Sequence, residues 1–72
     1  MKDGMMEKII YKNIDFWIKK HYYTYRKFSD EIGVSPSALH SVLVGEHYPG
    51  KYMIDGILRV TGLTYEEAFK VE

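Results

Sequence analysis

The segment 28–45 constrains the fold most, because its apolar spacing and its turn residues predict two short helices joined by a tight turn. Phe28 and Ile32 are four residues apart, so they share one face of the first helix of the pair. Gly33 follows, where a helix that ends in the left-handed conformation needs a residue without Cβ. Ser29 keeps this helix narrow where the second helix must cross it.

The second helix of the pair has its own start and stop signals. Ser35 can cap it, and Pro36 suits its first turn. Apolar residues then recur at spacings of three and four, at Leu39, Val42 and Leu43, and Gly45 ends the helix. Two helices about one short glycine-containing turn form the helix-turn-helix unit, whose second helix can lie in a DNA major groove. We place this unit at about residues 24–45.

The chain before and within this unit predicts three helices, at about residues 5–21, 24–32 and 36–44. Thr24 is the predicted N-cap of the second. The first carries one apolar stripe, formed by Ile10, Ile14, Trp17, Ile18 and His21. We expect this stripe, including the histidine, to face the protein interior.

The chain after the unit predicts two more helices. One covers about residues 51–61 and is stopped by Gly62, with an inner face formed by Met53, Ile54, Ile57 and Leu58. The other opens at Thr64–Glu67, which matches a capping box, and turns Ala68 and Phe69 inward. No segment of useful length shows the alternation of a strand. The predicted fold is therefore all-α, a compact five-helix bundle formed by residues 1–72 as one domain.

Length and composition exclude several classes of protein. A chain of 72 residues has a small core, and the absence of cysteine excludes disulfides and thiolate metal sites. No apolar run approaches the ~20 residues of a membrane span, and no signal-peptide core is visible. We therefore expect a cytoplasmic protein that does not meet a membrane.

The charges are unevenly distributed, although the formal net charge is zero. Residues 1–33 contain seven Lys or Arg against five Asp or Glu, whereas residues 34–72 contain three against five. The basic excess is densest between Lys12 and Lys27, where Asp15 is the single acidic residue. A short basic face can hold phosphates even in a neutral protein, and a solvated helix surface explains the pattern equally well.

The order of these helices resembles the Cro/CI-type phage repressor domains, a helix-turn-helix family. The resemblance depends on the Gly33–Ser35 corner, on Gly45 and Pro49 after the third helix, and on Gly62–Thr64 before the fifth. It covers about residues 9–70, and the chain length is similar to that of the small Cro-like regulators. It implies a transcriptional regulator of a phage genetic switch, which binds double-stranded operator DNA in the cytoplasm of a bacterial host.

Transferred by position, the family pattern implies three sets of DNA-binding residues. Those predicted to hold phosphates at the start of the second helix are Tyr25, Arg26 and Lys27. Those predicted to face bases from the third helix are Ser35, Pro36, Ser37, Ala38, His40 and Ser41. Those predicted to touch phosphates from the following loop are His47, Tyr48 and Lys51.

The third helix departs from the family pattern, because it has no Arg, Lys, Asn or Gln for bidentate contacts with bases. This departure leaves an alternative open, in which the chain is an antirepressor or co-repressor that binds a companion repressor protein. A neutral, partly apolar surface suits the basic face of such a partner. The surface predicted for this role consists of Ser37, Ala38, His40, Ser41, Val44, Glu46 and Tyr48.

Other chemistry has little support in the sequence. The three histidines, His21, His40 and His47, do not have the spacing of metal ligands, so we expect no metal and no cofactor. Ser37, His40 and Ser41 are close in sequence, but a nucleophile and its base also need a cleft and an orienting acid. We therefore expect no enzyme. For the oligomeric state we expect a monomer or a weak homodimer.

Overall fold

A computed structural model of the protein describes residues 8–21 and 23–71. Within them the chain forms five α-helices and no strand. These are α1 (Lys12–Lys20), α2 (Tyr25–Ile32), α3 (Pro36–Leu43), α4 (Lys51–Thr61) and α5 (Tyr65–Ala68). The predicted all-α class and order of helices are confirmed.

Helix α1 begins later than predicted. The predicted helical residues 5–7 lie outside the described part of the chain, and residues 8–11 are not helical. The backbone N–H of Ile10 donates instead to the carbonyl of Leu43, at 2.8 Å. The Ile10 side chain also lies against Gly45, where an added Cβ would be 2.8 Å from Ile10 Cδ1. The segment before α1 is therefore held against the end of α3, which a helical conformation would prevent.

The apolar stripe of α1 is confirmed at Ile14 and Ile18, which are buried, but not at His21. His21 is exposed, so the prediction that it completes the inner stripe is wrong. It follows the last helical residue, and its ring stacks on that of Trp17 with 4.1 Å between ring centroids. Trp17 is itself only partly buried and also stacks on Tyr23.

Helices α2 and α3 have the predicted ends. The Thr24 hydroxyl accepts a hydrogen bond from the Lys27 N–H at 3.0 Å, and the Ser35 hydroxyl accepts one from the Ala38 N–H at 3.2 Å. Gly33 joins the two helices in the left-handed region, with a φ of 82°. These local bonds and this glycine fix the angle at which α3 leaves α2.

The hydrophobic core draws side chains from all five helices. Its members are Ile14, Ile18, Phe28, Ile32, Leu39, Val42, Leu43, Met53, Ile57 and Ala68. Ser29 is also fully buried, as expected for a small residue between helices, and its hydroxyl donates to the Arg26 carbonyl at 2.8 Å. The core holds α3 from behind and leaves its outer side exposed.

The inner face of α4 differs from the predicted one. Its buried residues are Met53, Gly56 and Ile57, whereas Ile54 and Leu58 are only partly buried. Gly56 allows α4 to approach α2 closely, because a Cβ at this position would lie 2.8 Å from the Cβ of Ile32. Spacing alone could not identify this face, since glycine contributes no apolar signal.

The predicted capping box of α5 is confirmed, with bonds of 3.1 Å and 3.0 Å between Thr64 and Glu67. Ala68 is buried as predicted, and Phe69 is partly buried against Tyr11 of the segment before α1. None of the helices in the described residues is long and apolar enough to cross a membrane.

Candidate nucleic-acid interface

The outer side of α3 borders an open groove with a volume of about 370 Å³. Ser37, Ala38 and Ser41 form one wall, because Ser41 lies three and four positions after the other two, and residues at these spacings share a helix face. His47 and Tyr48 form the opposite wall, and Val42 and Met53 reach it from the core. Five of the predicted site residues therefore meet in a single groove.

The loop after α3 is shaped by bonds to α3 itself. The N–H groups of Glu46 and His47 both donate to the carbonyl of Ser41, at 2.9 and 3.4 Å. This arrangement turns the chain back and places His47 and Tyr48 beside the helix. Tyr48 is 95% exposed, so its whole ring is available to a ligand. Beyond it lies a second depression of about 310 Å³, between this loop and the segment before α1.

The other predicted residues lie along α3 and just after it. Ser35 is the N-cap, and Pro36 is the first helical residue; both are exposed. His40 is half-buried, on the following turn. Val44 is the half-buried residue that ends the helix, and Glu46 is exposed in the loop.

Exposed basic residues lie on the two helices that contact one another beside α3. Arg26 and Lys27 are exposed in the first turn of α2, where the helix dipole adds positive potential. Lys51 begins α4 and lies 3.0 Å from the carboxylate of Asp55, with both side chains largely exposed. Exposed pairs of this kind contribute little, so a phosphate can compete for the Lys51 ammonium.

Tyr25 is held more firmly than the other predicted phosphate ligands. Its hydroxyl donates to a carboxylate oxygen of Asp15, and Lys19 lies 3.1 Å from the same carboxylate. Burial, the hydrogen bond to Asp15 and the charge of Asp15 together raise the pKa of Tyr25 well above its usual value. Its one hydroxyl proton is therefore engaged within the protein, and a phosphate contact by Tyr25 stays a prediction.

Helix α3 offers few polar groups for binding DNA. Its residues Pro36–Leu43 contain no Lys, Arg, Asn or Gln, so hydroxyl, methyl and imidazole groups must make any contact. The spacing of Val42 and Met53 predicts core positions, and it does not indicate that both residues also line the groove. No signal in the sequence separates a core residue that also borders a surface groove from one that does not.

Comparison with known proteins gives one relevant similarity. No family model matches the chain, and no solved structure matches it. Over 47 residues it is 40% identical to an uncharacterised HTH-type transcriptional regulator, YvzC, of Bacillus subtilis. The aligned part is 65% of this chain and 61% of that protein, so the match spans under two thirds of the relative. This similarity supports a helix-turn-helix regulator family, and the narrower resemblance to Cro/CI repressors stays a prediction.

Proposed function

We propose that this protein is a helix-turn-helix transcriptional regulator that binds double-stranded DNA with the outer side of α3. The observation that carries the proposal is the α2–α3 pair, capped at Thr24 and Ser35 and joined at Gly33, which leaves the outer side of α3 exposed. A helix supported from behind in this way can enter a major groove. The similarity to an HTH-type regulator supports the same class.

In this proposal the phosphates and the bases are contacted by different residues. Arg26, Lys27 and Lys51 neutralise phosphates from the ends of α2 and α4. Ser37, Ala38 and Ser41 face base edges, with His40 on the next turn. His47 and Tyr48, in the loop that lines the groove on α3, contact the sugar-phosphate backbone of the DNA.

The chemistry of α3 sets the kind of specificity that this protein can have. A serine hydroxyl can bond to several bases, and an alanine methyl can contact thymine. Without a bidentate donor, direct readout discriminates weakly between sequences. The proposal therefore gives a larger share of the selectivity to water-mediated contacts and to the shape of the DNA.

The finer assignment follows the family resemblance. We place the protein among Cro-like regulators of a phage genetic switch, acting on an operator in the cytoplasm of a bacterial cell. Its proposed activity is binding and not catalysis. The direction of regulation depends on where the operator lies relative to the promoter.

The test is binding to a random-sequence DNA duplex across a salt series. If several phosphates are neutralised, log affinity falls with log salt at a slope of about −0.9 per contact. Arg26→Ala and Lys27→Ala should each reduce the steepness by about that amount. Arg59→Ala, an exposed basic residue at the other end of α4, is the matched control and should leave the slope unchanged. A salt-independent signal, or no binding at low salt, would contradict the proposal.

A second candidate function is supported by the lining of the groove on α3. That lining contains neither Lys nor Arg, and the loop beside it carries Glu46. Such a surface suits the basic DNA-binding face of a companion repressor, which it would withhold from its operator as an antirepressor or co-repressor. Val44 and Tyr48 would supply apolar contact area to that complex.

One substitution separates the two candidates. Ser41→Arg adds a cation and a bidentate donor to the groove wall, so it should strengthen DNA binding and weaken a complex with a basic protein. Mixing the protein with a candidate companion repressor, at micromolar concentrations, provides the second measurement. A complex unaffected by Ser41→Arg, Val44→Arg and Tyr48→Ala would count against the second candidate.

A further inference from the structure

The groove on α3 has an apolar floor formed by residues of the core. Val42 of α3 and Met53 of α4 both line it. Their exposed fractions are 3% and 7%, and both belong to the hydrophobic core cluster. Because the groove reaches these two side chains, it is a depression that ends on the core and not a flat stretch of helix surface.

The walls of this groove are apolar or weakly polar. The Ala38 methyl lies on one side and the Tyr48 ring, which is 95% exposed, lies on the other. Ser37 and Ser41 add hydroxyls, and His47 adds an imidazole. No Lys, Arg, Asp or Glu is among the lining residues. The groove therefore suits a small apolar group that has a hydrogen-bonding group beside it.

The backbone at the edge of the groove is already paired. The Ser41 carbonyl accepts hydrogen bonds from the N–H groups of Glu46 and His47, at 2.9 and 3.4 Å. An unpaired carbonyl at this point would bind water in preference to an apolar group. Since this carbonyl is engaged within the protein, an apolar group can enter the groove without leaving it unsatisfied.

Unmodified DNA offers one small apolar group in its major groove. This group is the methyl on C5 of thymine, and 5-methylcytosine carries the same methyl at the same position. Adenine, guanine and unmodified cytosine present hydrogen-bonding atoms there instead. An apolar groove on a helix that faces base edges therefore has a defined counterpart in DNA, the C5-methyl group of a pyrimidine.

The hydroxyls of Ser37 and Ser41 do not distinguish the two bases that carry this methyl. Beside the methyl, thymine has a carbonyl at C4, which accepts a hydrogen bond, whereas 5-methylcytosine has an amine, which donates one. A serine hydroxyl can donate or accept, because it rotates to suit its partner. The methyl itself is therefore the feature that this groove can select.

On the basis of the proposed binding of DNA by α3, we propose that the groove on α3 is a receptor for the C5-methyl group of a pyrimidine. The protein then responds to the methylation of cytosine as well as to thymine. In this complex Ala38 and Tyr48 flank the methyl, and Val42 and Met53 lie beneath it. Burying one group of this size should raise affinity about fourfold.

The first test locates the methyl that is recognised. A duplex that binds the protein is enriched from a random-sequence pool by repeated rounds of binding. Each thymine is then replaced in turn by deoxyuridine, which lacks the C5-methyl group and keeps the same hydrogen-bonding atoms. We expect at least one position at which the replacement weakens binding about fourfold.

The second test places the methyl on a different base. At the position found by the first test, the thymine–adenine pair is replaced by cytosine–guanine and by 5-methylcytosine–guanine. These two duplexes differ only in the methyl group, so the exchange of the purine does not affect the comparison. The methylated duplex should bind about fourfold more tightly than the unmethylated one.

Two variants connect this preference to the groove. Ala38→Ser places a hydroxyl beside the methyl, and Tyr48→Ala removes the exposed wall, so each should reduce the fourfold preference towards equal affinity. Tyr52→Ala, which alters an exposed aromatic of α4 outside the groove lining, should retain the full preference. The ratio of the two affinities is the readout, because a general loss of DNA affinity does not change it. Circular dichroism establishes that each variant is folded.

The outcomes distinguish this inference from the proposed function. Failure to bind any duplex at low salt contradicts DNA binding, and the methyl receptor with it. Binding of DNA in which no thymine methyl contributes, or equal affinity for cytosine and 5-methylcytosine, overturns the methyl receptor alone. A preference that persists unchanged in Ala38→Ser and Tyr48→Ala also overturns it, because the methyl then acts through the shape of the DNA or through another surface.

Discussion

The hydroxyl of Tyr25 donates a hydrogen bond to a carboxylate oxygen of Asp15, and this bond joins the first turn of α2 to the middle of α1. The two residues are ten positions apart in sequence. The Lys19 ammonium forms an ion pair with the same carboxylate, so Asp15 interacts with both the phenol of Tyr25 and the ammonium of Lys19. The arrangement orients the start of α2, where Arg26 and Lys27 project into solvent.

Replacing Tyr25 by phenylalanine should lower the free energy of unfolding by roughly 1–2 kcal/mol, because a hydrogen bond to a charged acceptor is lost. Urea denaturation followed by circular dichroism measures the change. Tyr65→Phe, whose ring is 55% exposed, is the control and should change stability by less than about 0.5 kcal/mol. Equal stability of Tyr25→Phe and the wild type would show that the bond contributes nothing.

The same variant tests the predicted phosphate contact of Tyr25. If the hydroxyl only positions α2, Tyr25→Phe should keep the salt slope of DNA binding while the variant is folded. If the hydroxyl leaves Asp15 for a phosphate, DNA affinity should fall by more than the loss of stability explains. The measurement is the duplex titration, performed well below the unfolding temperature.

Alkaline pH should destabilise the wild type more than Tyr25→Phe. The pKa of Tyr25 is raised in the folded protein by burial and by Asp15, so the unfolded chain loses its phenolic proton first. The stabilising effect of this group is therefore complete below about pH 10 and declines as the pH rises above that value. Plotted against pH between about 8 and 11, the free energies of unfolding of the two proteins should form curves that converge. Parallel curves would contradict the prediction.

Gly56→Ala should destabilise the protein by about 1 kcal/mol, although alanine is the better helix former. Helix propensity favours the change by about 1 kcal/mol, whereas forcing a methyl into a packed interface costs about 1–3 kcal/mol. The second effect should win, because the new Cβ would lie 2.8 Å from the Cβ of Ile32, which cannot rotate away. Thermal unfolding provides the measurement.

Gly50→Ser is the control for Gly56→Ala, because it also replaces a glycine of the α4 region. A Cβ at Gly50 meets no atom within 4 Å, and a serine hydroxyl can cap α4, which has no side-chain cap. We expect unchanged or slightly increased stability. If Gly56→Ala is as well tolerated as Gly50→Ser, then α2 and α4 are not close enough for the added methyl to collide with Ile32.

Gly33→Ala should cost about 1–2 kcal/mol, because its φ of 82° is strained for a residue with a Cβ. The new methyl would also collide with the Tyr52 hydroxyl. Since Tyr52 is an exposed side chain that can move away, Tyr52→Ala should recover only a small part of the loss. A double-mutant cycle measures that part, and recovery of the full loss would show that backbone strain is unimportant here.

The features that the sequence could predict depend on neighbouring residues. The caps of α2, α3 and α5 are bonds over three positions, so Thr24, Ser35 and Thr64 could be assigned from local patterns. The start of α1 could not, because the competing partner of Ile10 is the carbonyl of Leu43, 33 positions away. Helical spacing favoured a helix there, and a long-range bond prevailed.

In the candidate interface, too, local features could be predicted from the sequence and long-range contacts could not. Ser37, Ala38 and Ser41 share a face by helical spacing, and the structure places them together as predicted. The engagement of Tyr25 by Asp15 depends on how two helices meet, which spacing within either helix does not determine. The part played by Met53 depends on the same kind of tertiary packing.

The contact of Ile10 with Gly45 links the entrance of the chain to the loop that closes the groove on α3. A side chain at position 45 and a full-sized isoleucine at position 10 would occupy the same space. These two positions should therefore vary together among related proteins, with a smaller residue at 10 wherever 45 is not glycine. The shape of the loop beside the groove on α3 therefore depends partly on residues that precede the first helix.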